Sequence, residues 1–159
     1  MRAIRPVARQ DDFRIASIVF LLLREPFVTV DRLAATLQAH PEDARDALRS
    51  AVQTAVADDD VPLIVEYKDV WVFGEGARRR ALAAGSGSSL DPVMAHASTA
   101  PETLRTVAER WLSSHDAVTS GDLMEITDVS RGTAQRFLRD QDWLLSAGAG
   151  RTSRFVRRK

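Results

Sequence analysis

The sequence predicts a mainly α-helical chain with small β-hairpins, built as two units on one plan. Three observations predict it. Apolar residues recur at helical spacing through much of both halves. Each half closes with two short alternating stretches around a turn, at 63–73 and at 143–157. Between the halves lies "GSGSSLDP", Gly85 to Pro92, whose glycines and serines have little to bury and lose much entropy on ordering. The divisions are 1–84, a linker at 85–98, and 99–159.

Taken in order, Met1–Asp12 is polar and expected to fray. Phe13–Arg24 reads as a buried helix, with Phe13, Ile15, Ala16, Ile18, Val19, Phe20, Leu22 and Leu23 covering more than one face, and Pro26 ends it. "FVTV" is a short extended piece. Asp31 can cap a helix through Gln38 whose inner face is Leu33, Ala34 and Leu37. Pro41 suits a first helical turn, and Glu42 and Asp43 favour a helix N-terminus. Ala44, Ala47, Leu48, Ala51, Val52 and Ala55 then form an apolar stripe. Leu63–Tyr67 and Val70–Phe73 flank a turn at Lys68–Asp69, and "GARRRALAA" closes the unit as a helix or tail.

The second unit opens with a helix over Pro101–Ser113, carrying Leu104, Val107, Ala108, Trp111 and Leu112 at helical spacing. Thr119 or Ser120 caps a short helix through Glu125, with Leu123 and Met124 inward. Ser130 caps the next, which runs to Arg139 or Asp140. Trp143–Leu145, a glycine turn at Gly148–Gly150 and Ser153–Arg157 make the second hairpin. The shared order is helix, short helix, turn, helix, two-stranded hairpin. Two winged helix-turn-helix units in tandem explain that order with few assumptions.

The stretch "SGDLMEITDVSRGTAQRFLRDQDWLLSAGAGRTSRFVRR", from Ser120 to Arg158, resembles the winged helix-turn-helix of bacterial transcriptional regulators. The residues that meet the pattern are Val129, Ser130, Thr133, Ala134, Arg136, Phe137, Leu138, Leu144, Gly148, Gly150, Arg151 and Phe155. The resemblance implies that the second helix of the pair docks in the major groove of double-stranded DNA and that the hairpin, the wing, reaches backbone or minor groove. Ser130, Arg131, Thr133, Gln135, Arg136 and Arg139 then lie on or beside the reading helix, and Arg151 and Arg154 at the wing. Thr133 and Gln135 are the expected base readers. Arginine serves either guanine or phosphate. The first half resembles the same fold more loosely, with Leu33, Ala34, Leu37 and Leu48 as core positions.

Charge separates the halves. The chain of 159 residues is 45% apolar and 28% charged, with 22 basic and 22 acidic residues. Thr29–Asp60 holds three arginines against seven acids, a balance of −4, while Val129–Lys159 holds eight basic residues against Asp140 and Asp142, a balance of +6. Zero net charge excludes a globally basic binder but not a local basic surface. Arg151, Arg154, Arg157, Arg158 and Lys159 form the densest cluster and suit a grip on phosphate, with steep salt dependence. Arg78, Arg79 and Arg80 either touch DNA, cap the C-terminal half of a helix or lie in solvent. Glu42, Asp43 and Asp46 oppose phosphate binding by the first unit.

Other chemistry finds little footing. With no cysteine, thiolate catalysis and disulfides are excluded, which fits a cytoplasmic protein. His40, His96 and His115 lack metal-site spacing, so no metal and no cofactor are expected. No nucleophile elbow or phosphate-binding glycine loop occurs, and no enzyme is expected. "IVFLLL" is too short to span a bilayer, and Arg24, Glu25 and Pro26 follow it in place of a cleavage site, so neither membrane nor signal peptide is expected. Trp71, Trp111 and Trp143 read as core anchors. The reading is a transcription regulator acting as a homodimer, with the first unit supplying dimerisation or a protein partner surface. The alternative is a protein-interaction module of a chromosome-organising or replication complex.

Overall fold

Local capping chemistry fixes where four of the described helices begin. The computed structural model describes residues 7–55, 62–74, 77, 101–148 and 153–158, which fall in two compact units, Met1–Asp91 and Pro92–Lys159. Among the described residues there are six helices and two small antiparallel sheets, and no helix is long and apolar enough to cross a membrane. The expected linker at 85–98, the run Arg78–Arg80 and His96 lie outside the described residues.

In the first unit, α1 spans Val7–Leu22. It begins before Phe13, where a frayed segment was expected. Polar residues such as Arg9 and Gln10 have good helix propensity and extend a helix that packing has already nucleated. The core takes one stripe only: Ile18, Leu21 and Leu22 are buried, whereas Phe13 and Phe20, expected inside, are 65% and 51% exposed. The Arg24 guanidinium covers the Phe20 ring at 4.7 Å.

Helix α2 spans Val30–Leu37 and is capped by Thr29, not by Asp31. Both are capping residue types, but Thr29 is the one with extended backbone (φ −102, ψ 162), and its side chain accepts from the Arg32 N–H. Asp31 sits instead in the first turn, where its negative charge is favoured by the positive end of the helix dipole. The nearly buried Glu25 carboxylate accepts from the Arg32 guanidinium at 2.7 Å and holds the arginine pKa above its ordinary value. Helix α3, Pro41–Thr54, has His40 as its cap, with Nδ1 accepting from the Glu42 N–H.

Strands β1 (Ile64–Tyr67) and β2 (Val70–Phe73) pair in antiparallel register, Tyr67 opposite Val70. Lys68 and Asp69 both have positive φ, 46 and 62, which matches the type I′ turn that a two-residue hairpin prefers. Val28 adds a bridge to Trp71 on the far side of β2. The core joins α1, α2, α3 and this hairpin through Ile18, Leu22, Leu33, Leu48, Ile64 and Trp71. Val70, Trp71 and Val72 are all buried, so the apolar face of this strand is not left open.

In the second unit, α4 spans Pro101–Trp111, β3 Val118–Thr119, α5 Ser120–Thr127 and α6 Arg131–Asp140. Strands β4 (Leu144–Ala147) and β5 (Arg154–Arg157) follow. The sheet has three strands in the order β3-β5-β4, a correction to the two-stranded hairpin expected. Trp111 is buried, stacks on His115 at 3.8 Å, and donates its indole N–H to the Ala117 carbonyl at 2.9 Å.

Thr119 caps α5 with Asp122 in a reciprocal box. The Asp122 carboxylate accepts from the Thr119 N–H at 2.7 Å and from its hydroxyl at 2.8 Å, and Asp122 is only 1% exposed. Asp122→Ala is expected to destabilise this unit by about 2 kcal/mol, since it strands a buried donor and removes half the box. Chemical denaturation checks this, and a loss below about 0.5 kcal/mol, the size of an ordinary surface substitution, speaks against it.

From Val28 to Arg49 the first unit matches Val118 to Arg139 of the second with a constant offset of 90 residues. Cap Thr29 corresponds to Thr119, left-handed C-cap Gln38 (φ 51) to Asp128 (φ 60), and cap His40 to Ser130. Val28 and Val118, the residues that join each sheet, obey the same offset. Over 28–49 and 118–139 six residues are identical: Val28/Val118, Thr29/Thr119, Leu33/Leu123, Ala44/Ala134, Leu48/Leu138 and Arg49/Arg139.

Candidate nucleic-acid interface

Helix α6 is held by three buried residues, Ala134, Phe137 and Leu138. At about 100° per residue these fix one inward direction. Gly132, Arg136 and Arg139 lie within about 35° of the opposite direction, and all three are exposed. Thr133 and Gln135 fall on the two flanks and are half-buried. The Thr133 hydroxyl also shares a 2.9 Å hydrogen bond with Ser130 Oγ, which accepts from the Thr133 N–H. The expected base readers are therefore peripheral to the outward line, and Ser130 is occupied as a cap. Arg131 is exposed but turned toward the core side of the helix. Among the described residues no carboxylate pairs with Arg131, Arg136, Arg139 or Arg154.

The hairpin divides its arginines. Arg154 stands opposite Ala147, next to the tip, while Arg157 stands opposite Leu144. Three residues along a strand are about 10 Å and an odd step, so Arg154 and Arg157 point to opposite faces of the sheet. Arg158 is at the foot. Its N–H donates to the Trp143 carbonyl at 2.9 Å and its guanidinium to the Asp142 carbonyl at 3.2 Å. Trp143, expected as a core anchor, is half-buried there. Its indole N–H donates to Gln141, whose amide donates to the Phe137 carbonyl, and Arg105 lies 5.7 Å from its ring centroid. The foot therefore belongs with the C-terminal end of α6. Arg151, Gly150 and Lys159 lie outside the described residues.

Sequence reasoning grouped Arg154, Arg157 and Arg158 as one grip. The period of two along a strand separates Arg157 from Arg154, and Arg158 is set apart by its distance along the strand.

The offset of 90 allows a direct comparison with α3. Its buried residues Ala44, Ala47 and Leu48 match those of α6. Its outward line is then Glu42, Asp46 and Arg49, where α6 has Gly132, Arg136 and Arg139. The same scaffold presents two carboxylates in one unit and none in the other.

Residues 1–82 match a family model described as a family of unknown function, DUF5635. Residues 99–158 match one described as the C-terminal domain of DIP2311-like transcriptional regulators. Among solved structures, the chain is similar to the DIP2311 protein from Corynebacterium diphtheriae, with 39% identity and a TM-score of 0.79 over 96% of this chain and 27% of that one. The chain thus spans about a quarter of the length of that relative. No curated protein matches it.

Proposed function

We propose, for a chain that belongs through residues 1–82 to the DUF5635 family and resembles through residues 99–158 the C-terminal domain of DIP2311-like transcriptional regulators, that it binds double-stranded DNA as part of a transcription regulator. In this reading both units are winged helix-turn-helix units. The second docks α6 in the major groove and sets the β4–β5 hairpin against backbone. It is a binding protein and not a catalyst.

The observation that carries the reading is the unpaired, exposed set Arg136, Arg139 and Arg154 in a domain similar to one named for transcriptional regulation. Unpaired arginines meet phosphate or guanine without first breaking an ion pair. Glu42 and Asp46 repel phosphate at the matching place in the first unit, so that unit is assigned to protein contact, including pairing with a second copy in the cytoplasm. Its exposed Phe13 and Phe20 suit such a contact.

The test is fluorescence anisotropy of the full chain with a random-sequence duplex across a salt series. Micromolar or tighter binding at about 50 mM salt that fades steeply with added salt supports the reading. Arg154→Ala is expected to weaken binding to all sequences, with Arg157→Ala having the smaller effect because of its place lower on the hairpin. Absence of binding at low salt removes the reading and favours a protein partner for both units.

A further inference from the structure

Strand β4 is an outer strand of the second unit's sheet, whose order is β3-β5-β4, and among the described residues it has a neighbour on one side only. An edge strand carries a row of backbone donors and acceptors, which proteins usually blunt with charge, proline or a bulge. Strand β4, Leu144-Leu145-Ser146-Ala147, has none of these, and its pairing with β5 is continuous. The first unit provides the contrast. Trp71 and Phe155 hold matching places, since Val28 bridges the one and Val118 pairs with the other. Opposite them stand Glu66 and Ser146. The edge strand of the first unit thus has a carboxylate where β4 has a serine. The faces turned away from Trp71 and Phe155 differ as well. Val70 and Val72 are 0% and 1% exposed. At the matching places Arg154 is exposed and Val156 half-buried, and Leu145, opposite Val156, is 43% exposed.

The register decides which groups of β4 can pair outward. The Arg158 N–H donates to the Trp143 carbonyl at 2.9 Å. Residues 143, 145 and 147 therefore aim their backbone groups at β5, and Leu144 and Ser146 aim theirs away from it. The Leu144 N–H is taken by the Gln141 carbonyl at 3.3 Å. The edge is left with the Leu144 carbonyl and both backbone groups of Ser146. We propose that this edge pairs antiparallel with β4 of a second copy, about a two-fold axis that passes through Leu145 perpendicular to the sheet. That register is self-complementary. Each Ser146 N–H donates to the Leu144 carbonyl of the second copy. The two Leu145 residues form a non-hydrogen-bonded pair, with Cα atoms about 4.5 Å apart and side chains in contact. With Val156 beside each, they make one apolar strip. A register centred on Ser146 would instead set the Leu144 carbonyl against Gly148, which has left the strand at φ 110.

Four residues a side bury well under the ~1,200 Å² of a stable complex. The pair is therefore weak in free solution and gains when two chains are held close together. Because the axis is perpendicular to the sheet, both copies of α6 lie on the same side of it. The pairing goes beyond the contact assigned to the first unit, and it does not depend on DNA binding.

The chain has no cysteine, so a single introduced thiol reports the register. Leu145→Cys brings two sulfurs within disulfide reach, whereas the exposed Ala147→Cys leaves its two Cα atoms about 14 Å apart, too far to bridge. Under mild oxidation of the full chain, Leu145→Cys is expected to form a crosslinked dimer at least tenfold faster than Ala147→Cys. Equal rates overturn the proposal. Sedimentation of the parent from about 10 µM to about 1 mM is expected to show a dimer that Leu145→Lys loses, with an unchanged circular dichroism spectrum. A parent that stays monomeric throughout overturns the pairing and leaves the edge to a strand of another protein. A dimer that Leu145→Lys retains overturns it too, and assigns association to the first unit. Neither result bears on whether the parent binds duplex.

Discussion

Arg136→Asp is expected to lower the affinity of the chain for duplex DNA by about two orders of magnitude, or about 2.7 kcal/mol. Two effects add. The guanidinium leaves the centre of the outward line of α6, and a good bidentate base contact is worth about 1–3 kcal/mol. A carboxylate then takes its place against the phosphates, where like charges within one Debye length, about 8 Å at physiological salt, still repel. The substitution is not expected to disturb folding. Arg136 is exposed, and the first unit already carries Asp46 at the corresponding place on the same scaffold. Anisotropy at two salt concentrations checks it. A folded variant with affinity within about twofold of the parent, well under 1 kcal/mol, excludes α6 as the docking element.

Trp111→Ala is expected to have the largest effect on stability. Trp111 is 1% exposed, stacked on His115 and hydrogen-bonded to the Ala117 carbonyl. Removing it opens a cavity the size of an indole, at a cost of about 3–5 kcal/mol. A unit this small carries only a few kcal/mol of stability in all. At about 4–8 °C per kcal/mol, the melting midpoint of the second unit falls by about 12–40 °C. Trp111→Phe separates the contributions: it keeps most of the apolar volume and loses the indole donor, for about 1–2 kcal/mol. Urea denaturation of both variants checks the ranking. A Trp111→Ala chain as stable as Trp111→Phe means that α4 is not anchored through this ring.

What the sequence made legible was mostly local. Thr119 and Ser130 announce their helices because a cap is a contact between residues two or three apart. Lys68–Asp69 marks its turn because alternating apolar residues flank it closely. The misses were non-local or directional. Val118–Thr119 is too short to show any periodicity, and it is a strand only because Phe155 and Arg154 pair with it. Thr29 outranks Asp31 because Val28 bridges Trp71, which holds the backbone extended just before the helix. Phe13 and Phe20 look buried in a helix that is apolar nearly all round, and only the packed partners decide which stripe goes inward. At the candidate site, the residue types on α6 were legible. Their directions came from Ala134, Phe137 and Leu138 together, once burial was known.

The offset of 90 residues also supplies an internal control. Five of the six shared residues are core or capping residues, so two nearly unrelated surfaces rest on one set of supports. Any property of the second unit that Glu42 or Asp46 would abolish can be sought in the first unit of the same molecule, at the same concentration and in the same buffer. Exchanging two pairs of residues, 42 with 132 and 46 with 136, is then a graft between halves that leaves composition, mass and net charge of the chain unaltered. A change in behaviour after that exchange reports where these four residues stand, with the overall charge of the chain held constant.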